Sequence, residues 1–533
     1  MKKHNMKHIT LTLMAAGILL SACSEQSSDQ PGVASSPLAT SAAAQAMTCE
    51  SLLSTNFPNT TISRAETIAA GAYSAPAGGF PGMGADYSNL PAFCQVAGSI
   101  HPTSDSDIRF ELWLPSENWN GRFMQTGNGG AAGSIVTSSL ADPLMRGYAV
   151  ANTDTGHVAG GADIFGWAVG HPEKVTDFAW RAVHELTVTG KAITSSRYGS
   201  EPEKSYFVGC STGGRQGLME AQRFPDDYDA IVAGAPANNW SPLMALSIVI
   251  QSNLGEGKLG LNKLGLLKEA AIASCDALDG VEDRIISDPA ACNFTPASLQ
   301  CTGEPNAQCL AAEEVEAALT IYEGVVSASG QVWIPGTGPG SEPLWGAYTS
   351  PQFTIGTGFF QDIVLNDANW DSSTFNADEH MPLAMEAGIE LIAMDPDISD
   401  FINQGGKLIT YHGTTDGLIP FGNTVNYVES MIESLGQQAL DDNVRYYQVP
   451  GMDHCAGGEG AHAIAWLDAM ETWVEEGSAP GNLLGIHPAP PPGAPGADNA
   501  REFSRPVCQY PASPVYDGSG DPDMASSFSC VAP

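Results

Sequence analysis

Basic residues are scarce in this chain of 533 residues, in which 22 Lys and Arg stand against 60 Asp and Glu. The resulting net charge of −38 repels phosphates, so nucleic acid is a poor partner and a solvated acidic surface is the simplest interpretation. Charged residues of both signs amount to only 15%, against 43% hydrophobic residues. This balance predicts a packed core and argues against a coiled coil or a disordered chain.

Apolar runs long enough to span a bilayer are also lacking. Three lysines within the first seven residues precede a short apolar stretch, Ile9 to Leu20, which is typical of an export signal. Residues 20–23, Leu-Ser-Ala-Cys, resemble a bacterial lipobox, although an ordinary secretory cleavage site is the alternative. We expect a signal peptide over 1–22, a lipid on Cys23 and a flexible tether over 23–46. The prediction is an exported lipoprotein of the outer membrane, periplasm or cell surface, held at the membrane only through Cys23.

No C-x-x-C pair occurs among the 11 cysteines, which argues against zinc-binding and thioredoxin-like motifs. Without Cys23, ten cysteines are left. An even number in an oxidising compartment predicts five disulfides, but spacing alone does not choose the pairings.

Strand-like runs alternate with helical patterns on both sides of a long irregular stretch. The predicted strands lie at 110–114, 122–125, 148–151, 205–208, 230–233, 407–411 and 444–449, and the predicted helices at 174–194, 215–223, 424–435 and 461–474. This pattern predicts an α/β fold with a mostly parallel sheet. We expect the core to be formed by residues 47–237 and 402–533, and residues 238–401 to form an inserted lid domain.

Residues 209–213, Gly-Cys-Ser-Thr-Gly, fit the pattern G-x-S-x-G between a predicted strand and a predicted helix. Such a turn lifts a serine hydroxyl above the sheet, which makes Ser211 the candidate nucleophile. It also puts the N–H of Thr212 at a helix N-terminus, where it can bind an oxyanion. The alternative is a glycine-rich turn without catalysis, since the pattern alone is common.

A serine nucleophile needs a base and an acid that orients the base, and α/β-hydrolases supply these in the order Ser, Asp, His. Asp416 follows the strand at 407–411, and His454 follows the strand at 444–449. Asp416 could instead be a turn residue and His454 a surface residue. His412 and Asp453 are the nearby competitors, and we expect a structural role for His412.

Two motifs together resemble the tannase/feruloyl esterase family: C-S-T-G-G-R from Cys210 and G-M-D-H-C ending at Cys455. The resemblance runs from about residue 47 to the C-terminus and implies an α/β-hydrolase with a lid, a Ser-His-Asp triad and a second oxyanion N–H at Gly130. It also implies five disulfides, which are Cys210–Cys455, Cys49–Cys94, Cys275–Cys292, Cys301–Cys309 and Cys508–Cys530.

An acidic loop beginning at Cys275 carries three aspartates within eight positions around a glycine. Hard oxygen ligands of this kind suit calcium, although the spacing is not that of an EF-hand and a solvated acidic loop is the alternative. In similar enzymes this loop binds calcium, which implies ligands from the Asp276, Asp279 and Asp283 carboxylates and the Val281 and Ile285 carbonyls. We expect this calcium to be structural.

Lys and Arg are absent between Arg284 and Lys407, so most of the lid lacks a partner for a free carboxylate. Family members include feruloyl esterases, tannases and mono(2-hydroxyethyl) terephthalate hydrolases, and the last group must hold such a carboxylate. We therefore expect a monomeric esterase for small aromatic esters of feruloyl, p-coumaroyl or galloyl type. The candidate pocket aromatics are Trp333, Trp345, Phe353, Phe359, Phe360 and Trp370.

Three other functions remain open at this point. A terephthalate monoester hydrolase differs only in its substrate. A peptidase is allowed by the fold, although nothing in the sequence indicates a peptide cleft. A non-catalytic, calcium-stabilised binding lipoprotein is the alternative from another class, and the intact Ser, Asp and His argue against it.

Overall fold

The computed structural model describes residues 45–75, 86–159, 164–489 and 501–533. The signal peptide, Cys23 and nearly all of the tether lie outside the described residues. None of the helices within the described ranges is long and apolar enough to cross a membrane.

A nine-stranded sheet forms the centre of the fold, with the strand order β1-β2-β3-β5-β4-β6-β7-β10-β11. The bounds are β1 Thr60–Ile68, β2 Phe93–Ile100, β3 Ile108–Pro115, β4 Arg122–Thr126, β5 Ala149–Thr153, β6 Lys204–Cys210, β7 Ala230–Gly234, β10 Lys407–Gly413 and β11 Val444–Val449. The pairs from β5 through β11 are parallel, whereas β1, β2, β3 and β5 pair antiparallel. The sheet is therefore mostly parallel, as predicted.

The antiparallel edge contains two strands that the hydrophobic pattern did not predict. β1 exposes most of its side chains, so its sequence carries little hydrophobic alternation. Its position depends on pairing with β2 along the full length of both strands, a contact that local sequence does not encode.

Helices from the chain before residue 238 and after residue 401 cover the sheet. They are α1 Ser138–Met145, α2 Pro172–Thr176, α3 Ala182–Tyr198, α4 Thr212–Arg223, α12 Phe421–Leu435, α13 Gln437–Asn443 and α14 Trp466–Glu476. The helix predicted over 174–194 is divided by a π-turn at Asp177–Arg181. The helix predicted from 461 begins only at Trp466, because residues 463–464 pair with a later strand.

The segment between β7 and β10, all of which the structure describes, adds no strand to the central sheet. It contains α5 Trp240–Ser252, α6 Leu264–Cys275, α7 Ala312–Glu323, α8 Glu342–Trp345, α9 Ile355–Gly358, α10 Ala377–Ala387 and α11 Ser399–Asn403, with the short hairpin of β8 Val325–Val326 and β9 Val332–Ile334. Its buried aromatic and aliphatic residues form a hydrophobic cluster with α5 at its centre. We call this region, residues 238–401, the inserted segment.

The C-terminal residues add two small sheets beside the core. One contains β12 Ala463–Ile464, β13 Leu483–His487 and β14 Phe503–Val507, and the other contains β15 Ser513–Tyr516 and β16 Phe528–Val531.

Candidate active site

Ser211 lies in a strained turn between the end of β6 and the start of α4, with φ 64° and ψ −122°. A non-glycine residue in this region costs about 1–3 kcal/mol and persists only where the surroundings impose it. The Ser211 N–H donates to the carbonyl of Gly234 at 3.0 Å, and its own carbonyl accepts the N–H of Ala237 at 3.0 Å. The end of β7 therefore fixes the turn from both sides.

Close packing of glycines makes this turn possible. A Cβ atom on Gly209 would lie 2.6–2.8 Å from the backbone of Gly213, which is closer than real Cβ atoms approach. The strand before Ser211 and the helix after it can approach this closely only because Gly209 lacks a side chain, whereas a Cβ on Gly213 would lie 3.1 Å from Gly127 and Asn128. The sequence pattern G-x-S-x-G thus has a steric cause here.

The loop at 127–130 packs against the first turns of α4 through four hydrogen bonds. Gly213 N–H donates to the Asn128 carbonyl at 2.8 Å, and Asn128 N–H donates to Gln216 Oε1 at 3.0 Å. Gln216 Nε2 donates to Asn128 Oδ1 at 3.1 Å, and the Thr212 hydroxyl donates to the Gly130 carbonyl at 2.5 Å. The two predicted oxyanion residues, Gly130 and Thr212, are therefore neighbours.

Sequence reasoning missed Asn128 and Gln216, although both are buried and hold this loop. Their signal was only that of two polar residues near glycines, and 88 positions separate them in the chain. Gly130 has φ 56°, a left-handed backbone conformation that glycine adopts without strain.

Asp416 and His454 meet above the carboxyl ends of two adjacent parallel strands. Gly413 at the end of β10 pairs with Val449 at the end of β11, so the loops after these strands leave the same edge of the sheet. The Nδ1 atom of His454 lies 2.7 Å from Asp416 Oδ2. The imidazole is thereby oriented by a carboxylate, as a general base requires.

The carboxylate of Asp416 is fully buried and fully hydrogen-bonded. Its Oδ1 accepts the N–H groups of Leu418 at 2.8 Å and Ile419 at 2.9 Å. Its Oδ2 also lies 3.1 Å from Nε2 of His412, which reaches Thr424 through Nδ1 at 2.8 Å. His412 therefore supports Asp416 from inside the fold, whereas Asp453 accepts a hydrogen bond from Thr415.

Asp416 and His454 change each other's pKa in the directions that suit an orienting carboxylate and a general base. Burial alone would raise the pKa of Asp416, but His454 and His412 outweigh it and hold that pKa well below its ordinary value. Burial alone would lower the pKa of His454, but the Asp416 carboxylate outweighs it and raises that pKa above its ordinary 6.5. Asp416 stays ionised and stabilises an imidazolium at His454.

A disulfide joins the residue before Ser211 to the residue after His454. Cys210 and Cys455 are bonded with their Cα atoms 6.0 Å apart, across 245 positions of sequence. The remaining eight described cysteines form the pairs Cys49–Cys94, Cys275–Cys292, Cys301–Cys309 and Cys508–Cys530. The structure thus contains the five pairings that the resemblance implied.

Comparisons with known proteins agree with this architecture. The family model described as tannase and feruloyl esterase matches residues 94–531. The chain belongs to the tannase and feruloyl esterase family. It is therefore a carboxylic ester hydrolase with a small-molecule ester substrate.

The relatives cover most of the chain. A probable feruloyl esterase B-2 of Aspergillus terreus is 33% identical over 461 residues, which is 82% of this chain and 86% of that protein. An uncharacterized esterase of Xanthomonas campestris pv. campestris is 34% identical over 553 residues, covering 93% and 92%. The crystal structure of feruloyl esterase B from Aspergillus oryzae has a TM-score of 0.82 at 30% identity, over 91% of this chain and 99% of that one.

In this member of the family, the aromatic residues of the inserted segment fall into two groups. Trp345, Phe359 and Phe360 are completely buried and form part of the hydrophobic cluster of that segment. Trp333, Phe353 and Trp370 keep part of their surface exposed. Burial therefore excludes three of the six candidate pocket aromatics.

Trp333 reaches the neighbourhood of Ser211 through the backbone. Asn239 lies two residues after Ala237, which bonds to Ser211, and its Nδ2 donates to the Trp333 carbonyl at 3.1 Å. This contact fixes the backbone of Trp333 close to the segment that follows β7.

The acidic loop after α6 brings Asp276, Asp279 and Asp283 into the protein interior, each less than 10% exposed. Asp276 accepts the N–H of Arg284 at 2.9 Å, and Asp279 accepts the Ser287 hydroxyl at 2.6 Å. Asp283 forms an ion pair with Arg505. Three buried carboxylates suit a hard cation such as calcium, and the Arg505 guanidinium competes with such a cation for Asp283.

Proposed function

We propose that this protein is an exported serine esterase that hydrolyses neutral phenolic esters through a Ser211–His454–Asp416 triad. The observation that carries the proposal is the contact of His454 with Asp416, together with the disulfide that links this histidine loop to the nucleophile turn. An ester of feruloyl, p-coumaroyl or galloyl type is the substrate.

Catalysis follows in two steps from this arrangement. His454 Nε2 takes the proton of Ser211 as the serine oxygen attacks the ester carbonyl, and Asp416 stabilises the imidazolium. The protonated His454 then gives its proton to the leaving alcohol, which leaves an acyl group on Ser211. Water, deprotonated by His454, attacks the acyl carbon. The bond between that carbon and the Ser211 oxygen then breaks, His454 returns the proton to Ser211, and the acid leaves.

The tetrahedral intermediates carry a negative oxygen that needs donors. The N–H of Thr212, at the first residue of α4, and the N–H of Gly130 supply them. The proposal is supported by the hydrogen bond between these two residues and by the Asn128–Gln216 pair, which hold both N–H groups in place before substrate arrives. Removal of one such donor typically costs about 100–1,000-fold in rate.

The substrate preference follows from the cations of the inserted segment. Its basic residues within 238–401 are Lys258, Lys263, Lys268 and Arg284. Lys263 donates to backbone carbonyls, and Lys268 and Arg284 pair with Glu459. Lys258 is exposed on a surface loop. A second carboxylate on the substrate thus lacks a partner in this segment, which favours neutral esters.

The test is a set of rates on methyl ferulate, methyl p-coumarate, methyl gallate and mono(2-hydroxyethyl) terephthalate. We expect the highest kcat/KM on one of the three neutral esters, and a clear preference for the terephthalate monoester would overturn that assignment. Labelling by a fluorophosphonate, lost in Ser211→Ala, separates a serine esterase from a non-catalytic binding protein.

We also propose that calcium binds to the acidic loop as a structural ion. Asp276 and Asp279 would supply carboxylate oxygens, and Val281 and Ile285 would supply carbonyl oxygens, with Asp283 exchanging Arg505 for the metal. Support comes from the burial of all three carboxylates, since buried charges are normally paired or bound to a metal.

Export and the lipid on Cys23 belong to the same proposal. The five disulfides support it, because such bonds persist in oxidising compartments outside the cytoplasm. Mass spectrometry of the mature N-terminus is the direct check: an acylated Cys23 is expected, and an unmodified N-terminus beyond it would contradict the lipid anchor. We expect a monomer in solution.

A further inference from the structure

Three metal-ligating side chains converge behind the nucleophile helix, at the end of α4 opposite to Ser211. His184 extends from α3, Glu220 from the last turn of α4, and Asp227 from the loop that leads to β7. One ligand atom from each lies within 4.8 Å of the ligand atoms of the other two. Nine residues of helix separate Glu220 from Ser211, or roughly 13 Å at 1.5 Å per residue. The cluster is therefore separate from the catalytic residues.

Glu220 has an environment that an isolated carboxylate does not tolerate. It is 1% exposed, and neither of its carboxylate oxygens accepts a hydrogen bond from any described residue. It also lies near the C-terminal end of α4, where the helix dipole disfavours negative charge. A carboxylate buried in this position needs either a proton, which burial and the neighbouring Asp227 carboxylate favour, or a positive partner such as a metal ion.

Lys191 is the cation near Glu220, but it does not form an ion pair with that carboxylate. Lys191, also on α3, directs its ammonium group to the backbone carbonyl of Asp227 rather than to either carboxylate. The nearby Asp226 adds a further negative charge at the surface, and Asp229 is paired with Lys204. Among the described residues, the two buried carboxylates of Glu220 and Asp227 thus have only the Lys191 ammonium group of α3 near them.

His184 supplies a nitrogen ligand and a route from solvent. Its Nδ1 lies 2.7 Å from Asp227 Oδ2, and its ring stacks on Phe224 with centroids 3.8 Å apart. Its side chain is 27% exposed, whereas that of Asp227 is 12% exposed. The cluster is therefore buried on the side of Glu220 and open to water on the side of the imidazole.

We propose that His184, Glu220 and Asp227 form a binding site for a divalent transition metal such as zinc. One imidazole nitrogen and two carboxylate oxygens are typical zinc ligands, and water on the exposed side completes four-coordination. The imidazole makes calcium and magnesium poor occupants, since both prefer oxygen ligands. The site would fasten α3 to the end of the nucleophile helix.

Metal binding requires the ligand atoms to rearrange, because their present separations range from 2.7 Å to no more than 4.8 Å. Bonds of 2.0–2.1 Å in a tetrahedron place neighbouring ligand atoms roughly 3.3 Å apart. The 2.7 Å between His184 Nδ1 and Asp227 Oδ2 is a hydrogen-bond distance, so the metal would replace the proton and the two atoms would separate by roughly half an ångström.

The experiment measures zinc binding to the full-length protein after all metals have been removed. Excess calcium is present so that the acidic loop after α6 does not bind the zinc. Isothermal titration and elemental analysis should give one zinc per chain. Asp227→Asn should weaken zinc binding at least tenfold, and His184→Phe, which keeps a ring against Phe224, should do the same. Asp226→Asn, the same change at the exposed neighbour, is the matched control and should bind zinc as the unmodified chain does.

A second measurement on the unmodified chain keeps the test decisive if a variant does not fold. Cobalt(II) in place of zinc should give the visible absorption of a four- or five-coordinate site, and zinc in excess should raise the melting temperature by about 3 °C. Absence of stoichiometric zinc uptake would overturn the proposal and leave a proton shared between Glu220 and Asp227. Equal weakening in Asp226→Asn would also overturn it, because it would indicate surface binding.

Discussion

The carboxyl edge of the sheet and the inserted segment are built in different ways. At the edge, every oxygen of the buried Asp416 has a partner, glycines pack at distances that exclude a Cβ, and a disulfide joins the Ser211 and His454 loops. The inserted segment has helices of 4–13 residues around its own hydrophobic cluster, its two disulfides close only short loops, and some of its aromatic residues are half-exposed. Catalytic groups need positions fixed to about 0.5 Å, whereas substrate selection needs a surface of suitable shape. Damage at the edge should therefore reduce turnover, and changes in the segment should alter binding or stability.

The largest effect is expected for Ser211→Ala. Removal of the nucleophile should lower kcat by about 10⁴- to 10⁶-fold, because the remaining oxyanion donors and substrate binding supply only a small part of catalysis. Steady-state rates on methyl ferulate measure the loss, and an unchanged melting temperature shows that the fold is intact. Turnover within tenfold of the unmodified enzyme would refute the assignment of the nucleophile.

The second-largest effect is expected for removal of the disulfide between the Ser211 and His454 loops. The double variant Cys210→Ala/Cys455→Ala keeps Ser211, His454 and Asp416, but misplacement by about 1 Å can cost about 100-fold in kcat. The matched control, Cys508→Ala/Cys530→Ala, removes a bridge in the C-terminal sheet and should keep kcat per folded molecule. If both double variants lost activity equally, the Cys210–Cys455 bond would contribute to stability alone.

The pH dependence tests the pairing of His454 with Asp416. His454 must be neutral to act as a base, so kcat/KM should rise with pH and reach half its maximum above pH 6.5, because Asp416 raises the pKa of His454. One pH unit below that midpoint the rate should be about tenfold lower. Asp416→Asn should move the midpoint down, whereas Asp453→Asn should leave it in place; an equal shift in both would contradict this pairing.

The first test of the inserted segment is Trp333→Ala. Loss of one aromatic contact with the substrate ring should raise KM for methyl ferulate by up to about tenfold with little change in kcat, since such contacts provide about 0.5–1.5 kcal/mol. Trp119 is the control, because it is also half-buried but stacks on Tyr198 at the opposite edge of the sheet. A fall in kcat without a change in KM would place Trp333 in the catalytic machinery instead.

The smallest effect is expected for calcium removal by EGTA. The melting temperature should fall by a few degrees and recover on addition of calcium, while kcat below the transition stays within about twofold, since the acidic loop supplies none of the proposed triad or oxyanion groups. Asp279→Asn should abolish the response to calcium. A melting temperature that is insensitive to both EGTA and calcium would contradict calcium binding and indicate that Arg505 alone balances the charge of Asp283.

Much of the catalytic edge was predictable because its signals are local in the chain. The motif around Ser211 lies between a strand and a helix, and Asp416 and His454 each follow a predicted strand. The contact between these last two follows from the parallel pairing of their strands. His412, which we expected to be structural because it lies nearer the strand than Asp416 does, is completely buried and bonds to Asp416 and Thr424.

Other features were not predictable because they depend on contacts between distant segments. Asn128 pairs with Gln216 across 88 positions, and β1 and the short β12 exist only through partner strands. Six aromatics of the inserted segment looked alike in sequence, and only packing separated the buried Trp345, Phe359 and Phe360 from the half-exposed Trp333.

The sequence by itself determined the fold class, the family and the identity of the catalytic candidates, because strand periodicity and short motifs are written within a few neighbouring residues. Only the tertiary structure decided which side chains meet: His454 with the fully hydrogen-bonded Asp416, and His184 with Asp227 beside the buried Glu220. The physical reason is that burial and hydrogen bonding are properties of a residue's surroundings, and those surroundings come from segments that only folding brings together.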